Sequence, residues 1–108
     1  MAQLDEALLK EMTNRLVQTF QPEQVILFGS HAWGTPHAGS DIDLFVVVPE
    51  SSERPLQRAR RARACVGEVR MALDILVKTR SEADKYRHVH ASLECQIFEK
   101  GRVLYERT

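Results

Sequence analysis

The sequence predicts an α/β domain, because segments with helical and with strand patterns alternate along its 108 residues. In the N-terminal segment, apolar residues recur at steps of three and four, which is typical of a helix that packs on a core. Short β-branched and aromatic runs at 24–28, 41–48 and 69–78 are typical of buried strands. No repeat, linker or low-complexity tract interrupts the pattern, so we expect residues 1–108 to form one domain.

The first half of the chain predicts one helix and two strands. The helix covers 3–20 and ends before Pro22, with apolar positions at Leu4, Leu8, Leu9, Met12, Leu16 and Phe20. The run "QVILF" at 24–28 predicts a buried strand. Residues 29–39 are rich in Gly, Ser, Thr and Pro, which indicates a loop with room for one helical turn. The run "DIDLFVVV" at 41–48 is the strongest strand pattern in the chain.

The second half predicts three helices and two further strands. Pro55 and Gly67 suit the first turn and the end of a helix. Ser81 followed by Asp84 resembles a capping box, which predicts the start of a short helix. The expected elements are therefore a helix over 55–67, a strand over 69–78, a short helix from Ser81, a helix over 88–99 and an edge strand over 102–106.

Composition limits the classes of partner and compartment. The chain has 15 Lys and Arg against 15 Asp and Glu, so its formal net charge is zero and gives no sign of a nucleic-acid or membrane partner. Cys65 and Cys95 show neither a CxxC pair nor a zinc spacing, which favours free thiols. The amphipathic start is no signal peptide, and no apolar stretch approaches the roughly 18 residues of a membrane span. We expect a soluble cytoplasmic protein.

Two aspartates, Asp41 and Asp43, stand at the beginning of the strongest strand pattern. Residues two apart on a strand point to the same face, so these carboxylates should lie close together. Like charges at that spacing repel, and one carboxylate would hold a proton unless a cation is present. Mg²⁺ binds carboxylate oxygens together with substrate phosphates, so the pair indicates a magnesium site.

A third acid, Asp74, lies inside the apolar run "MALDILV". A charge within a buried strand is costly unless it is paired or binds a metal. An ion pair with one of the many arginines is one explanation. If its strand lies beside 41–48, Asp74 can instead join Asp41 and Asp43, and three acids can hold two cations in the arrangement used for displacement at phosphorus.

The Gly-Ser pair after "VILF" predicts the other half of the site. Gly29 lets the backbone come close to a ligand. Ser30 offers a hydroxyl and a backbone N–H, and a helical turn that begins there would direct N–H groups at a phosphate. Ser40 could donate to phosphate or brace Asp41.

The stretch "LFGSHAWG" followed by "SDIDL" resembles the Gly-Ser and Asp-x-Asp signature of the DNA polymerase β-like nucleotidyltransferase superfamily, and more narrowly the minimal nucleotidyltransferase (MNT) family. The resemblance covers 25–48 and resumes at Asp74. It implies the small nucleotidyltransferase fold, an α/β (α+β) architecture with a mixed sheet flanked by helices.

The resemblance also implies the chemistry. Asp41, Asp43 and Asp74 would be the catalytic acids and would hold two Mg²⁺, and Gly29 and Ser30 would bind ATP or another nucleoside triphosphate. An acceptor hydroxyl would attack the α-phosphate and release pyrophosphate. The loop departs from many relatives, which carry Arg where this chain has His31, Trp33 and His37, and this difference could weaken triphosphate binding.

The resemblance further implies a partner. The chain stops about where the catalytic domain should be complete, so we expect the acceptor to be held by a partner protein or by a second copy of this chain. MNT proteins are typically paired with a small helical toxin of the HEPN type, with which an oligomer is expected, and some transfer AMP to a tyrosine of that toxin. This chain would then be the antitoxin. Two other functions stay open: an antitoxin that acts by binding alone, and nucleotidyl transfer to a small molecule.

Two further patterns favour ordinary surface roles. The arginines of the helix over 55–67 and the residue before it predict a solvated basic face, with contact to an acidic partner or RNA as the alternative; they are Arg54, Arg58, Arg60, Arg61 and Arg63. His88 and His90 would point apart on a helix, so no shared metal site is expected there.

Overall fold

The structure, a computed structural model, describes residues 5–33, 41–69 and 72–107. In these ranges five helices and four strands follow one another. Their order is α1 Glu6–Phe20, β1 Gln24–Phe28, α2 Ser30–Trp33, β2 Ile42–Val48, α3 Pro55–Val66, β3 Leu73–Thr79, α4 Arg80–Lys85, α5 Leu93–Lys100 and β4 Arg102–Glu106. Helices and strands therefore alternate as predicted, except where α5 follows α4.

The four strands form one sheet in the order β3-β2-β1-β4. β2 is parallel to β3, whereas β1 is antiparallel to both β2 and β4. This mixed sheet with flanking helices confirms the predicted fold class, and β4 is an edge strand as expected. Parallel strands need a crossover, which α3 supplies between β2 and β3. The first residues of β2 and β3 consequently meet at the same end of the sheet.

β2 forms the buried centre of the sheet and sends alternate side chains to its two faces. On one face, alternate residues of β2 pack with the apolar sides of α1 and α3. On the other face, Phe45 and Val47 pack with Ala83 of α4 and Ile97 of α5. Asp43 belongs by alternation to this second face. It is half-buried, whereas every other residue of β2 is buried.

Local capping explains where α1 begins and ends. The Asp5 carboxylate accepts hydrogen bonds from the backbone N–H groups of Ala7 and Leu8 at 3.0 and 3.2 Å. The helix ends at Phe20, and its C-cap Gln21, which has a left-handed backbone (φ 48°), precedes Pro22. Residues 3 and 4, where the sequence predicts the first helical residues, lie outside the described residues.

Two predicted boundaries are wrong. β3 begins at Leu73 rather than at residue 69, because the ladder with β2 starts where the Ile42 N–H donates to the Ala72 carbonyl at 2.8 Å. α5 begins at Leu93 rather than at residue 88. Its N-cap is Ser92, whose hydroxyl accepts from the Cys95 N–H at 3.0 Å. His88 and His90 therefore lie in the turns before α5 and not on a helix.

The predicted capping box is also wrong. Thr79 is the N-cap of α4: its hydroxyl accepts from the Glu82 N–H at 3.1 Å, and the Glu82 carboxylate accepts from the Thr79 N–H at 2.9 Å. Asp84 instead accepts from Arg80 at 3.2 Å. The longer Glu side chain reaches back to the cap, as a capping box requires, which the shorter Asp does less well.

The basic helix is not a uniformly solvated face. Arg58 is only 2% exposed. It forms an ion pair with Glu82 at 2.7 Å and donates to the Val77 carbonyl at 2.9 Å. Arg58 is therefore a structural residue that joins α3 to β3 and α4, and it cannot belong to a surface for RNA or an acidic partner.

Cys65 and Cys95 are free thiols, as predicted. Among the described residues, no helix combines the length and the apolar character needed to cross a membrane.

Candidate active site

Asp43 and Asp74 lie side by side where β2 and β3 begin. Asp43 is the second residue of β2 and stands opposite Phe28, the last residue of β1. On its other side it stands opposite Asp74, the second residue of β3. Residues directly opposite in a sheet project to the same face, so the two carboxylates share one face. Asp74 is exposed and Asp43 half-buried, so this face opens to solvent at the acids.

The environment of Asp43 disfavours its charged form. Burial raises the pKa of the Asp43 carboxyl above its usual range, and the negative charges of Asp74 and Asp41 raise it further. The charge of His31 opposes this rise. A raised pKa means that ionised Asp43 costs free energy in the folded protein. A cation bound beside it would lower that cost.

Asp41 is the exposed residue that directly precedes β2. The hydrogen bond from the next residue, Ile42, to the Ala72 carbonyl at 2.8 Å ties this end of β2 to the start of β3. The negative charge of Asp41 helps to raise the pKa of the Asp43 carboxyl. All three predicted acids therefore lie at one end of the sheet, where the charges of Asp74 and Asp41 act on Asp43.

Gly29 follows β1 directly and packs against the carboxylate of Asp43. Its φ of +80° lies in the left-handed region that favours glycine. A Cβ placed there would lie 2.3 Å from Oδ2 of Asp43. Glycine is thus required both by the backbone conformation and by space. The group that approaches its backbone is the carboxylate of a predicted catalytic acid.

A short helix, α2, begins directly after Gly29, which confirms the predicted helical turn. The Ala32 N–H donates to the Gly29 carbonyl at 3.0 Å. Ser30 is the first residue of α2, and its role in nucleotide binding stays a prediction. Ser40 and His37 lie outside the described residues, so the role of Ser40 stays a prediction too.

The donors at this end of the sheet suit a divalent cation. Carboxylate oxygens are hard donors of the kind that Mg²⁺ prefers, and burial together with the charges of Asp74 and Asp41 raises the pKa of Asp43. Within residues 5–33, 41–69 and 72–107, however, no three acidic, histidine or cysteine side chains are close enough to hold a metal ion as they stand. Ion binding by Asp41, Asp43 and Asp74 is accordingly a prediction. The ion pairs within these ranges do not include Asp74.

Sequence reasoning missed one residue beside the acids. Nη1 of Arg63 donates to the Leu73 carbonyl at 2.6 Å, directly before Asp74. No local pattern could reveal this bond, because it joins α3 to a strand that follows it by a loop. Arg63 was predicted only as one of several arginines on a basic face.

A mixed sheet with a glycine turn after one strand and acids at the joined starts of two parallel strands has the architecture of a nucleotidyltransferase. The family model described as "Nucleotidyltransferase domain" matches residues 9–107. The chain therefore belongs to the nucleotidyltransferase domain family, and this match confirms the superfamily that the Gly-Ser and Asp-x-Asp pattern predicts.

Solved structures show the same fold. A crystal structure of a protein assigned to the nucleotidyltransferases, from Sulfolobus solfataricus, is 22% identical with a TM-score of 0.65, and the match covers 94% of this chain and 79% of that one. A toxin–antitoxin structure with AMP-PNP is also 22% identical, with a TM-score of 0.55 and coverage of 92% and 74%. At this level of identity, both structures show that the fold is shared. No curated protein sequence matches the chain significantly.

Proposed function

We propose that this protein is a Mg²⁺-dependent nucleotidyltransferase that moves AMP from ATP to a hydroxyl of a partner protein. The observation that carries the proposal is the pairing of Asp43 with Asp74 in adjacent parallel strands, with the Gly29 backbone against the Asp43 carboxylate. Membership of the nucleotidyltransferase domain family supports the reaction class. The assignment of residues 1–108 to one minimal domain that acts in the cytoplasm is part of the same proposal.

Asp41, Asp43 and Asp74 are the residues that would hold the two ions. When bound, Mg²⁺ would neutralise the phosphates and favour ionisation of the acceptor hydroxyl. The charges of Asp74 and Asp41 both act on Asp43, and a bound cation would relieve the cost of ionising that carboxylate. Gly29 leaves the space in which this carboxylate lies, and Ser30 and Ser40 would bind the triphosphate.

The chain contributes position and proton transfer to the reaction. The bond that forms joins the acceptor oxygen to the α-phosphorus, and the bond that breaks joins this phosphorus to the pyrophosphate oxygen. The acceptor proton would pass to the exposed carboxylate of Asp74 and from there to solvent. Because little covalent chemistry falls to the protein, most of the rate enhancement would come from positioning and charge.

The acceptor we propose is a HEPN-type toxin, which makes this protein the antitoxin. The fold shared with a toxin–antitoxin structure that carries AMP-PNP supports both a toxin partner and an adenine nucleotide. Modification of the toxin would abolish its activity, and the two proteins would also associate.

The proposal is tested by incubating the protein with a candidate toxin, ATP and Mg²⁺, followed by mass spectrometry of the toxin. We expect one AMP per modified hydroxyl. Asp43→Asn and Asp74→Asn should abolish the addition, whereas Asp84→Asn, an exposed aspartate paired with Arg80, should leave it unchanged. Neutralisation of the toxin by the Asp43→Asn variant without any added mass would contradict the catalytic account and favour an antitoxin that acts by binding. Labelling of a small hydroxyl compound without any toxin would favour the small-molecule alternative.

A further inference from the structure

Two arginines of α3 bind the outer edge of β3. Nη1 of Arg58 donates to the Val77 carbonyl at 2.9 Å, and Nη1 of Arg63 donates to the Leu73 carbonyl at 2.6 Å. β3 is an edge strand whose one neighbour in the sheet is β2. The Ala72 carbonyl accepts a hydrogen bond from β2. Successive carbonyls of a strand point in alternate directions, so the carbonyls of Leu73 and Val77 point away from β2. The two arginines thus satisfy carbonyls that the sheet leaves unpaired.

The bond made by Arg63 lies in the peptide group that joins Leu73 to Asp74. That group is planar, so its carbonyl and the N–H of Asp74 point in opposite directions. The ladder with β2 fixes this peptide group at Asp74, and the hydrogen bond from the Arg63 guanidinium fixes it at Leu73. A hydrogen bond from a charged donor is roughly twice as strong as a neutral one. The backbone at Asp74, and with it the direction of the Asp74 side chain, is therefore fixed both by β2 and by Arg63.

We propose that Arg63 is a positioning residue that fixes the Asp74 carboxylate for cation binding, an inference that rests on the proposed function. Arg63 is exposed and forms no ion pair with a described residue, and its Nη1 donates to the Leu73 carbonyl. Arg58 differs, because it is buried, paired with Glu82 and bound at the far end of β3. Of these two arginines, Arg63 is the one beside a predicted catalytic acid.

The test is calorimetric titration of Mn²⁺ alone into the full chain, with urea unfolding as a check on the fold. Arg63→Ala should weaken Mn²⁺ binding about tenfold, the lower end of the range for residues that orient a metal ligand. Arg63→Lys should recover most of this loss, because the ammonium can still donate to the carbonyl. Arg60→Ala is the matched control, since Arg60 is an exposed arginine on the same helix, and it should bind Mn²⁺ like the wild type.

A double-mutant cycle with Asp74→Asn separates positioning from general destabilisation. In the Asp74→Asn background, Arg63→Ala should cause no further loss of Mn²⁺ affinity. A loss of equal size in both backgrounds, or no loss in either, would overturn the role of Arg63 while the proposed function stands. If Asp74→Asn itself leaves Mn²⁺ affinity and AMP transfer unchanged, the proposed function fails, and the role of Arg63 falls with it. If Arg63→Ala does not fold, the Mn²⁺ affinities of Arg63→Gln and Arg63→Lys are compared instead.

Discussion

At the scale of single residues, the cost of ionising Asp43 links stability to function. Because its pKa is raised, the ionised carboxylate destabilises the metal-free protein at neutral pH. This free-energy cost is explained if Asp43 is retained for binding a cation. Stability given up at a functional site is common, and replacing such a residue often stabilises the fold.

We predict that Asp43→Asn stabilises the metal-free protein by about 0.5–2 kcal/mol at pH 7. The amide keeps the shape of the side chain but removes the charge that burial, Asp74 and Asp41 disfavour. Urea unfolding in the presence of EDTA measures the effect. Asp84→Asn is the control, because that carboxylate pairs with Arg80 and its removal should not stabilise the protein. A variant less stable than the wild type would contradict the assigned cost.

Gly29 allows a second prediction with an internal control. Gly29→Ala should destabilise the protein by about 1–3 kcal/mol, since its φ of +80° suits few other residues. Gly67→Ala imposes a similar strain at φ +76°, but its Cβ would meet only the flexible Arg15 side chain at 3.1 Å. Both variants should lose stability by urea unfolding. Only Gly29→Ala, which displaces the Asp43 carboxylate, should also lose Mn²⁺ binding; equal binding by the two variants would refute the role of the glycine.

At the scale of elements, the Arg58 side chain joins α3 to the two elements that follow it, β3 and α4. Arg58 of α3 contacts Val77 of β3 and Glu82 of α4, and Glu82 in turn caps α4 through Thr79. The hydrogen bond with Arg58 lowers the pKa of Glu82 to about 2, and the Thr79 N–H contributes to the shift. Since the folded pKa lies below that of the unfolded chain, this stability is present above about pH 4.5 and is lost as the pH falls towards 2.

Glu82→Gln should therefore reduce the free energy of unfolding at pH 7 by about 1.5–3 kcal/mol, the range for hydrogen bonds to charged groups. The variant should also lose less stability than the wild type between pH 5 and pH 2.5, because the titrating group is gone. Urea unfolding across this pH range tests both points. Glu11→Gln, which breaks an exposed pair with Arg15 within α1, should change stability by less than about 0.5 kcal/mol. A pH dependence identical to that of the wild type would show that Glu82 does not carry the effect.

The same elements show what could be predicted from the sequence. Strands β1 and β2 have apolar runs long enough to define them, and the position of Asp43 near the start of β2 follows from strand periodicity, which needs no tertiary information. The start of α5 and the cap of α4 depend on which of several polar side chains reaches a free N–H, and the sequence offered competing candidates at each place. Arg58 appeared as a surface residue because its partners, Val77 and Glu82, are distant in the chain.

At the scale of the whole molecule, both edges of the sheet are protected in different ways. The outer edge of β3 is capped by Arg58 and Arg63. The register between β1 and β4 shifts between Val25 and Ile26, so Leu104 is an extra residue, and a bulge of this kind discourages edge-to-edge pairing. Such protection suits a protein whose open, charged end is the predicted place of contact with a substrate.

The sequence and the structure together point to the end of the sheet where β2 and β3 begin. The structure brings Asp43 and Asp74 into register, places Asp41 within electrostatic range and packs Gly29 against Asp43. We expect divalent ions and a nucleoside triphosphate at that end, because the chain belongs to the nucleotidyltransferase domain family and a bound cation would offset the cost of ionising Asp43.

The most direct measurement of this central claim is anomalous X-ray scattering from a crystal of the protein grown with Mn²⁺ and a non-hydrolysable ATP analogue. We predict an anomalous peak within coordination distance of the carboxylates of Asp43 and Asp74, and its loss in the Asp43→Asn variant. Strong manganese peaks elsewhere with none at these two acids would contradict the account.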